Sequence, residues 1–338
     1  IEVDSAFRQL TLEVISEVTI GLSASDSHVL PKLFVSVMDE MNYRVFAPYR
    51  KLYPSNRAHV KVGRRWLRLY LPVTPPFQAL NDLDQLLLGV INARREAVAT
   101  GTAPAHADIL GVLLAAEQPL GDTEICDELK TMLLAGHETS SMMLTWALYL
   151  LCRHPEAMAK ATAFVDAMFE ASPQPSMEQY RELSYLLYCL KEGMRLFSPV
   201  PALTRETVAE DTLGGFRIPA RTKIAIDIWS VHHSEAIWGK DVEDFRPERF
   251  RLRRPLPPSS EAESRGRNPF AFLPFSVGKR NCVGQHLALL EGQVVLANML
   301  RAFTVALVPK HPSVATQGFI VPVRPENGVF VTVTPRNV

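Results

Sequence analysis

Excess charge of either sign is missing from this chain. Its 36 basic side chains are matched by 36 acidic ones, so nothing is set aside to neutralise a phosphate backbone, and nucleic acid is not an expected partner. Cysteine is scarce as well. The four present, Cys126, Cys152, Cys189 and Cys282, show no CxxC spacing, which suits a reducing compartment and argues against a disulfide framework. No apolar run is long enough to span a bilayer; the most apolar stretch, Met142 to Cys152, is short and follows His137 and Glu138, so it reads as a buried core helix. No signal-type segment opens the chain, which starts at Ile1 rather than Met, and the start is read as a truncation with any anchor outside the sequence. What is present is a 338-residue chain, 47% hydrophobic and 21% charged, long enough to bury a sizeable core without disulfides.

Apolar periodicity predicts an opening helix from Phe7 to Leu22 that ends at Gly21. Helical stretches then alternate with Pro-rich connections to about Ala116, and strand signals are absent from this half. Asp122 is the expected N-cap of a long interior helix over 123–153, with Pro155 stopping it or opening the next. Further helices fit 156–170, 183–197 and 285–303. Strands fit 223–228 and a closing pair near 319–323 and 329–333 around the Glu326-Asn327-Gly328 turn. The fold class is mainly α with small β-sheets, without internal repeats.

The sharpest local feature is Phe275-Ser-Val-Gly278-Lys-Arg280-Asn-Cys282-Val-Gly284, a loop that delivers one cysteine just before an apolar helix. Free backbone N–H groups and the positive end of the helix dipole favour a thiolate there, and a thiolate is a strong donor to a metal. Gly278 and Gly284 allow a tight turn and close backbone approach. A bland alternative is a helix-entry loop with a buried free cysteine. Zinc fits less well, because Cys282 and His286 lack two further ligands at suitable spacing. A phosphate loop fails, since Lys279 is followed by Arg280 rather than Ser or Thr.

This string resembles the haem-binding signature of the cytochrome P450 family, Phe-x-x-Gly-x-Arg-x-Cys-x-Gly, at every fixed position. Three more segments match in the family's order: Ala135-Gly136-His137-Glu138-Thr139-Ser140, Glu192-Gly-Met-Arg195, and Phe245-Arg-Pro247-Glu248-Arg249-Phe250. The resemblance runs from about Ser5 to the end and implies a cytochrome P450 domain over residues 1–338 that lacks the N-terminal region. It implies haem b with Cys282 as iron ligand, Arg280 and Arg205 pairing with propionates, and Phe275 packed beside the sulfur. Glu138 and Thr139 would deliver protons to dioxygen. A glycine inside a helix costs about 1 kcal/mol relative to alanine, so Gly136 beside Ala135 suggests something bulky against the backbone, which a haem face would be. Glu192, Arg195 and Arg249 would be a buried charge group that holds the Cys282 loop and takes no part in the reaction.

The family's Trp-x-x-x-Arg helix has no counterpart here, because none of Trp66, Trp146, Trp229 and Trp238 is followed by Arg at that spacing. Met132, Ala135, Val200 to Leu203 and Gly318 to Ile320 are the expected substrate-facing positions, all small or apolar, which suggests a lipophilic substrate. The implied function is a monooxygenase that inserts one oxygen atom from dioxygen, with electrons from NADPH through a partner reductase. The full-length protein is then expected on the cytoplasmic face of the endoplasmic reticulum, with membrane association only through the absent N-terminal region. The alternative is an incomplete fragment or pseudo-enzyme that keeps the fold without holding haem.

Overall fold

The structure is a computed structural model that describes residues 1–22, 57–62, 65–70, 75–102, 108–251, 268–312 and 322–337, with single positions 30, 33, 314 and 316. The chain divides into two compact units, Arg8–Glu138 and Ile1–Phe7 with Thr139–Val338.

The Arg8–Glu138 unit contains most of helix α1 (Val3–Ile20), a hairpin of β1 (Arg57–Val62) and β2 (Arg65–Tyr70), helices α2 (Pro75–Ala99) and α3 (Ile109–Leu114), and the first half of α4 (Asp122–Arg153). The antiparallel hairpin pairs Val62 with Arg65 and corrects the expectation of a strand-free first half. Its signal was short: Ala58, Val60 and Val62 alternate with Arg57, His59 and Lys61, and two residues, Gly63-Arg64, separate the strands. Leu83, Leu87 and Ile91 recur every fourth residue on α2 and are buried, as are Ile125, Leu129 and Leu133 on α4. Lys130 Nζ lies 2.8 Å from the Asp84 carboxylate, and Asp108, which caps α3 through the Gly111 N–H at 2.7 Å, is gripped by both terminal nitrogens of Arg94. Asp122 was expected to cap α4 but is its first helical residue, where its carboxylate favours the positive helix end and meets Arg95 at 2.7 Å.

The other unit carries the second half of α4, buried continuously from Ser140 to Leu148, as expected of an interior helix; before Ser140 the same helix is amphipathic. Pro155 opens α5 (Pro155–Ala171), and α6 (Met177–Glu182) is held by a full capping box between Ser176 and Gln179. Helix α7 (Ser184–Leu196) is followed by strands β3 (Ala202–Glu206), β4 (Asp211–Leu213), β5 (Phe216–Ile218) and β6 (Lys223–Asp227), then by the short helices α8 (Ile228–His232) and α9 (Glu235–Trp238). A 3-10 turn over Pro247–Phe250 precedes α10 (Gln285–Ala302), β7 (Phe303–Leu307) and β8 (Val331–Pro335). The sheets of this unit are antiparallel pairs: β3 with β6, β4 with β5, β7 with β8. The closing pair therefore differs from expectation. Strand β8 pairs with β7 directly after α10, aligning Val305 with Val333, and residues 319–321 lie outside the described residues. Near the C-terminus the chain's first residues join in: Val3 N–H donates to Val329 O at 2.8 Å and Val331 N–H to Ile1 O at 2.9 Å. Trp146 of α4 stacks on Phe197 with centroids 4.0 Å apart and donates its indole N–H to Val323 O.

Candidate active site

The Cys282 loop is shaped by its own backbone. Ser276 N–H donates to Leu273 O at 3.1 Å, Asn281 N–H to Gly278 O at 3.1 Å, and Cys282 N–H to Phe275 O at 2.8 Å. Gly278 takes φ +83, in the left-handed region open to glycine. Gly284 does not need that freedom. Its φ is −81 and a Cβ there would sit 3.8 Å from Cys282 Sγ, an ordinary contact, so close approach explains less of Gly284 than the sequence suggested. Ser276, at φ 59, is the loop's one strained position among the described residues. The Cys282 thiol opens outward just before α10. Val283 beside it is 80% exposed and Val277 50%, and Lys279 and Arg280 are exposed too. Arg205, on β3, extends Nη2 to within 3.5 Å of Ser276 Oγ, so the structure brings this residue to the loop across 71 positions of sequence.

The other cysteines differ in kind. Burial pushes the Cys152 thiol up to about 12 and raises those of Cys126 and Cys189, which leaves all three protonated and poor ligands. Cys282 alone is exposed.

A charged network supports the loop from below. Arg195 and Glu192 are wholly buried, joined by Nε–Oε2 at 2.9 Å and Nη2–Oε1 at 2.8 Å, a two-pronged contact. Arg249 Nε reaches Glu192 Oε1 at 3.1 Å, as does the backbone N–H of Arg246. Arg249 is further tied to Trp238 O and Asp241, and Arg195 Nη1 donates to His232 O at 3.0 Å. His232 then completes a link to the loop: its Nε2 accepts from Leu273 N–H at 2.9 Å. That acceptor role requires a neutral ring with its proton on Nδ1. Burial, with the nearby His233 and Arg195 charges, pushes its pKa down to about 4. Sequence reasoning missed His232, because its partner lies 41 residues away on a loop without periodicity.

On α4, Ala135 is exposed and Thr139, one turn on, is half-buried. Gly136 has another reason than the one expected. An added Cβ would lie 2.5 Å from Ile15 Cγ1, so what presses on this backbone is α1, and the steric case for a haem face at Gly136 falls away. The close approach of α1 buries His137 and Glu138, whose Nε2 and Oε1 are 3.3 Å apart, with Arg8 Nη1 at 4.0 Å from the same oxygen. Thr11 Oγ1 donates to His137 O at 2.9 Å. In the other unit, Glu291 of α10 was also missed. Burial pushes its carboxyl up to about 7, relieved only by the Ser140 hydroxyl, and its Oε1 is buried without a protein partner.

A family model described as Cytochrome P450 matches residues 9–330. The chain belongs to the cytochrome P450 family. It is 31% identical over 340 residues to cytochrome P450 734A1 of Arabidopsis thaliana, covering 98% of this chain and 60% of that protein. Over 349 residues it is also 31% identical to the chloroplastic carotene epsilon-monooxygenase of the same plant, with 99% and 61% covered. Cytochrome P450 4X1 of Homo sapiens is 32% identical over 267 residues, with 75% and 50% covered. The crystal structure of the cytochrome P450DA heme domain superposes with a TM-score of 0.78 at 24% identity, over 100% of this chain and 68% of that one; this likeness establishes the cytochrome P450 fold. The chain spans about three-fifths of the length of the first two relatives. Of the expected substrate-facing positions in this P450, Met132 and Val200 are half-buried, and residues 318–320 lie outside the described residues. Among the described residues, no helix is long and apolar enough to cross a membrane.

Proposed function

We propose that the protein is a haem-thiolate monooxygenase that inserts one oxygen atom from dioxygen into a lipophilic substrate, with NADPH as electron source through a separate reductase. The observation that carries this reading is the state of the cysteines: one exposed thiol at the mouth of α10, and three protonated ones, Cys126 and Cys189 buried and Cys152 half-buried. The loop's chemistry fits haem b. Exposed Val277 and Val283 offer apolar contact to a flat macrocycle, while Arg280 and Arg205 offer guanidinium groups to its carboxylates.

Haem bound through Cys282 supplies the electron and dioxygen chemistry that side chains lack. The chain's residues do the rest. Cys282 donates its sulfur, Gly278 sets the loop's turn, and Phe275 limits water beside the sulfur. Ala135 leaves room on the open stripe of α4, and Thr139, on that stripe, holds a proton donor with Glu138 beside it in sequence. The names of two relatives, a monooxygenase and a hydroxylase, agree with this chemistry. An endoplasmic reticulum location, anchored by a segment outside this chain, goes with the same reading.

A reduced, carbon monoxide difference spectrum tests the proposal. The expected result is a red-shifted thiolate Soret band that Cys282→Ser abolishes and that Cys126→Ser, Cys152→Ser and Cys189→Ser each keep. A chain without any Soret band favours the fragment that keeps the fold without haem. Thr139→Ala should keep the band but send more NADPH electrons to peroxide than to water.

A further inference from the structure

The cysteine loop places two residues in the left-handed backbone region and fills them differently. Gly278, at φ +83, is suited to such a place, whereas Ser276, at φ 59, carries a Cβ that disfavours it. Hydrogen bonds on either side pin that strain: Ser276 N–H donates to Leu273 O at 3.1 Å, Phe275 O accepts from Cys282 N–H at 2.8 Å, and Leu273 N–H is itself anchored on His232 at 2.9 Å. They keep the loop in shape but do not account for the serine, because glycine would take the same backbone without the Cβ penalty. What serine adds is a hydroxyl. Among the described residues that hydroxyl meets one group, Nη2 of Arg205 at 3.5 Å, while Arg205 Nη1 donates to Thr204 O at 2.9 Å. The guanidinium is thus held at both terminal nitrogens, with N–H groups left over for a further acceptor.

We propose that Ser276 is a positioning residue: its hydroxyl seats the Arg205 head against the cysteine loop, ready for a carboxylate of the haem that Cys282 would bind. The proposal rests on the haem-thiolate reading for its ligand, and on β3 and the loop alone for its geometry. In the signature Phe-x-x-Gly-x-Arg-x-Cys-x-Gly, position 276 is an open place, so the family resemblance gives it no role. An exposed arginine samples many rotamers, and a ligand that must first still it loses affinity to that ordering. Ser276 and Thr204 still Arg205 beforehand. The strain at Ser276 persists because the flanking hydrogen bonds hold it and the contact with Arg205 offsets it.

Haem titrations followed at the Soret band test the seat by a double-mutant cycle. Arg205→Ala should weaken haem binding on the order of tenfold, as loss of a hydrogen bond to a charged group does. Ser276→Ala keeps the strained backbone and removes the hydroxyl; it should weaken binding roughly threefold, the size expected from freeing one ordered side chain. The double variant should bind no more weakly than Arg205→Ala alone. Additive losses overturn the proposal, and so does full affinity in either single variant. Ser276→Gly separates hydroxyl from strain: it should melt above Ser276→Ala yet bind haem no better. Reversed melting would mean that no strain is held there and overturns the proposal, as does a glycine variant with full haem affinity. Nitrogen-15 relaxation of Arg205 Nε in the haem-free chain reads the seat without its ligand. The order of that nitrogen should fall in Ser276→Ala, and unchanged order overturns the seat. If the unaltered chain gives no Soret band with haem, the haem-thiolate reading fails, and the relaxation result then decides the seat by itself.

Discussion

Glu192–Arg195 and Glu210–Arg217 are the same chemical pair at nearly the same distance, 2.8 Å and 2.6 Å, yet they stand in opposite surroundings. The first is wholly buried on α7, with Glu192 Oε1 and both terminal nitrogens of Arg195 met by further partners from the α8 to 3-10 segment. The second lies beside the β4–β5 hairpin with its arginine 78% exposed. Distance does not decide what such a pair is worth. Water already solvates the exposed pair whether or not its partners meet, whereas removal of one buried partner strands the other without solvent.

The widest separation of the two pairs should come from truncation. Glu192→Ala should cost roughly 3 to 5 kcal/mol, a large part of the 5 to 15 kcal/mol typical of a domain, and give insoluble protein or protein without haem. Arg195→Lys should come close, because an ammonium cannot make the two-pronged contact. Soluble Glu192→Ala protein with an unchanged melting temperature would erase the contrast.

Acid should attack the buried network next, through His232. Its folded pKa, about 4, lies below the ordinary 6.5, so the unfolded chain binds the proton first. Stability is therefore complete above pH 6.5 and is lost as pH falls toward 4, by about 3 kcal/mol at about 1.4 kcal/mol per unit. Melting curves from pH 7 to 4 should show a steeper fall for the unaltered protein than for His232→Gln, which keeps an acceptor for Leu273 N–H. Parallel curves would mean that His232 takes up its proton without harm.

Glu291 should respond in the opposite sense. Its folded pKa, about 7, exceeds the ordinary 4.5, so the folded chain holds the proton longer, and the associated stability is present below pH 4.5 and lost as pH rises through 7. Glu291→Gln should raise stability by about 2 kcal/mol at pH 8, with allowance for residual exposure, and leave it unchanged at pH 4. Equal melting temperatures at both pH values would place Glu291 in water. The smallest effect belongs to the exposed pair: Arg217→Ala should leave the melting temperature where it was.

The contrast also marks what the sequence could and could not disclose. Glu192, Arg195 and Arg249 were legible because Leu186, Leu187, Leu190 and Leu196 crowd the same helix and because three separate motifs coincide. Helices α4, α5, α7 and α10 were legible from period and from Pro155 and Gly284 at their ends. Long-range meetings without local signal were not: Leu273 on His232, Ile15 on Gly136, Ser140 on Glu291. Strand β7 was hidden because it continues α10 without a break, Ala302 passing straight into Phe303, so Phe303 read as the helix's last residue and the four residues after it carried no strand signal of their own.

The pairing of Ile1 and Val3 with Val329 and Val331 sets a schedule for the chain's birth. These partners are up to 330 residues apart, and at about 5 to 20 residues per second a ribosome makes the later ones roughly 15 to 65 s after the earlier. The leading turn of α1 must wait that long for its docking strand. Any holding factor that guards nascent chains would find its target there, in a segment secured long after it is made.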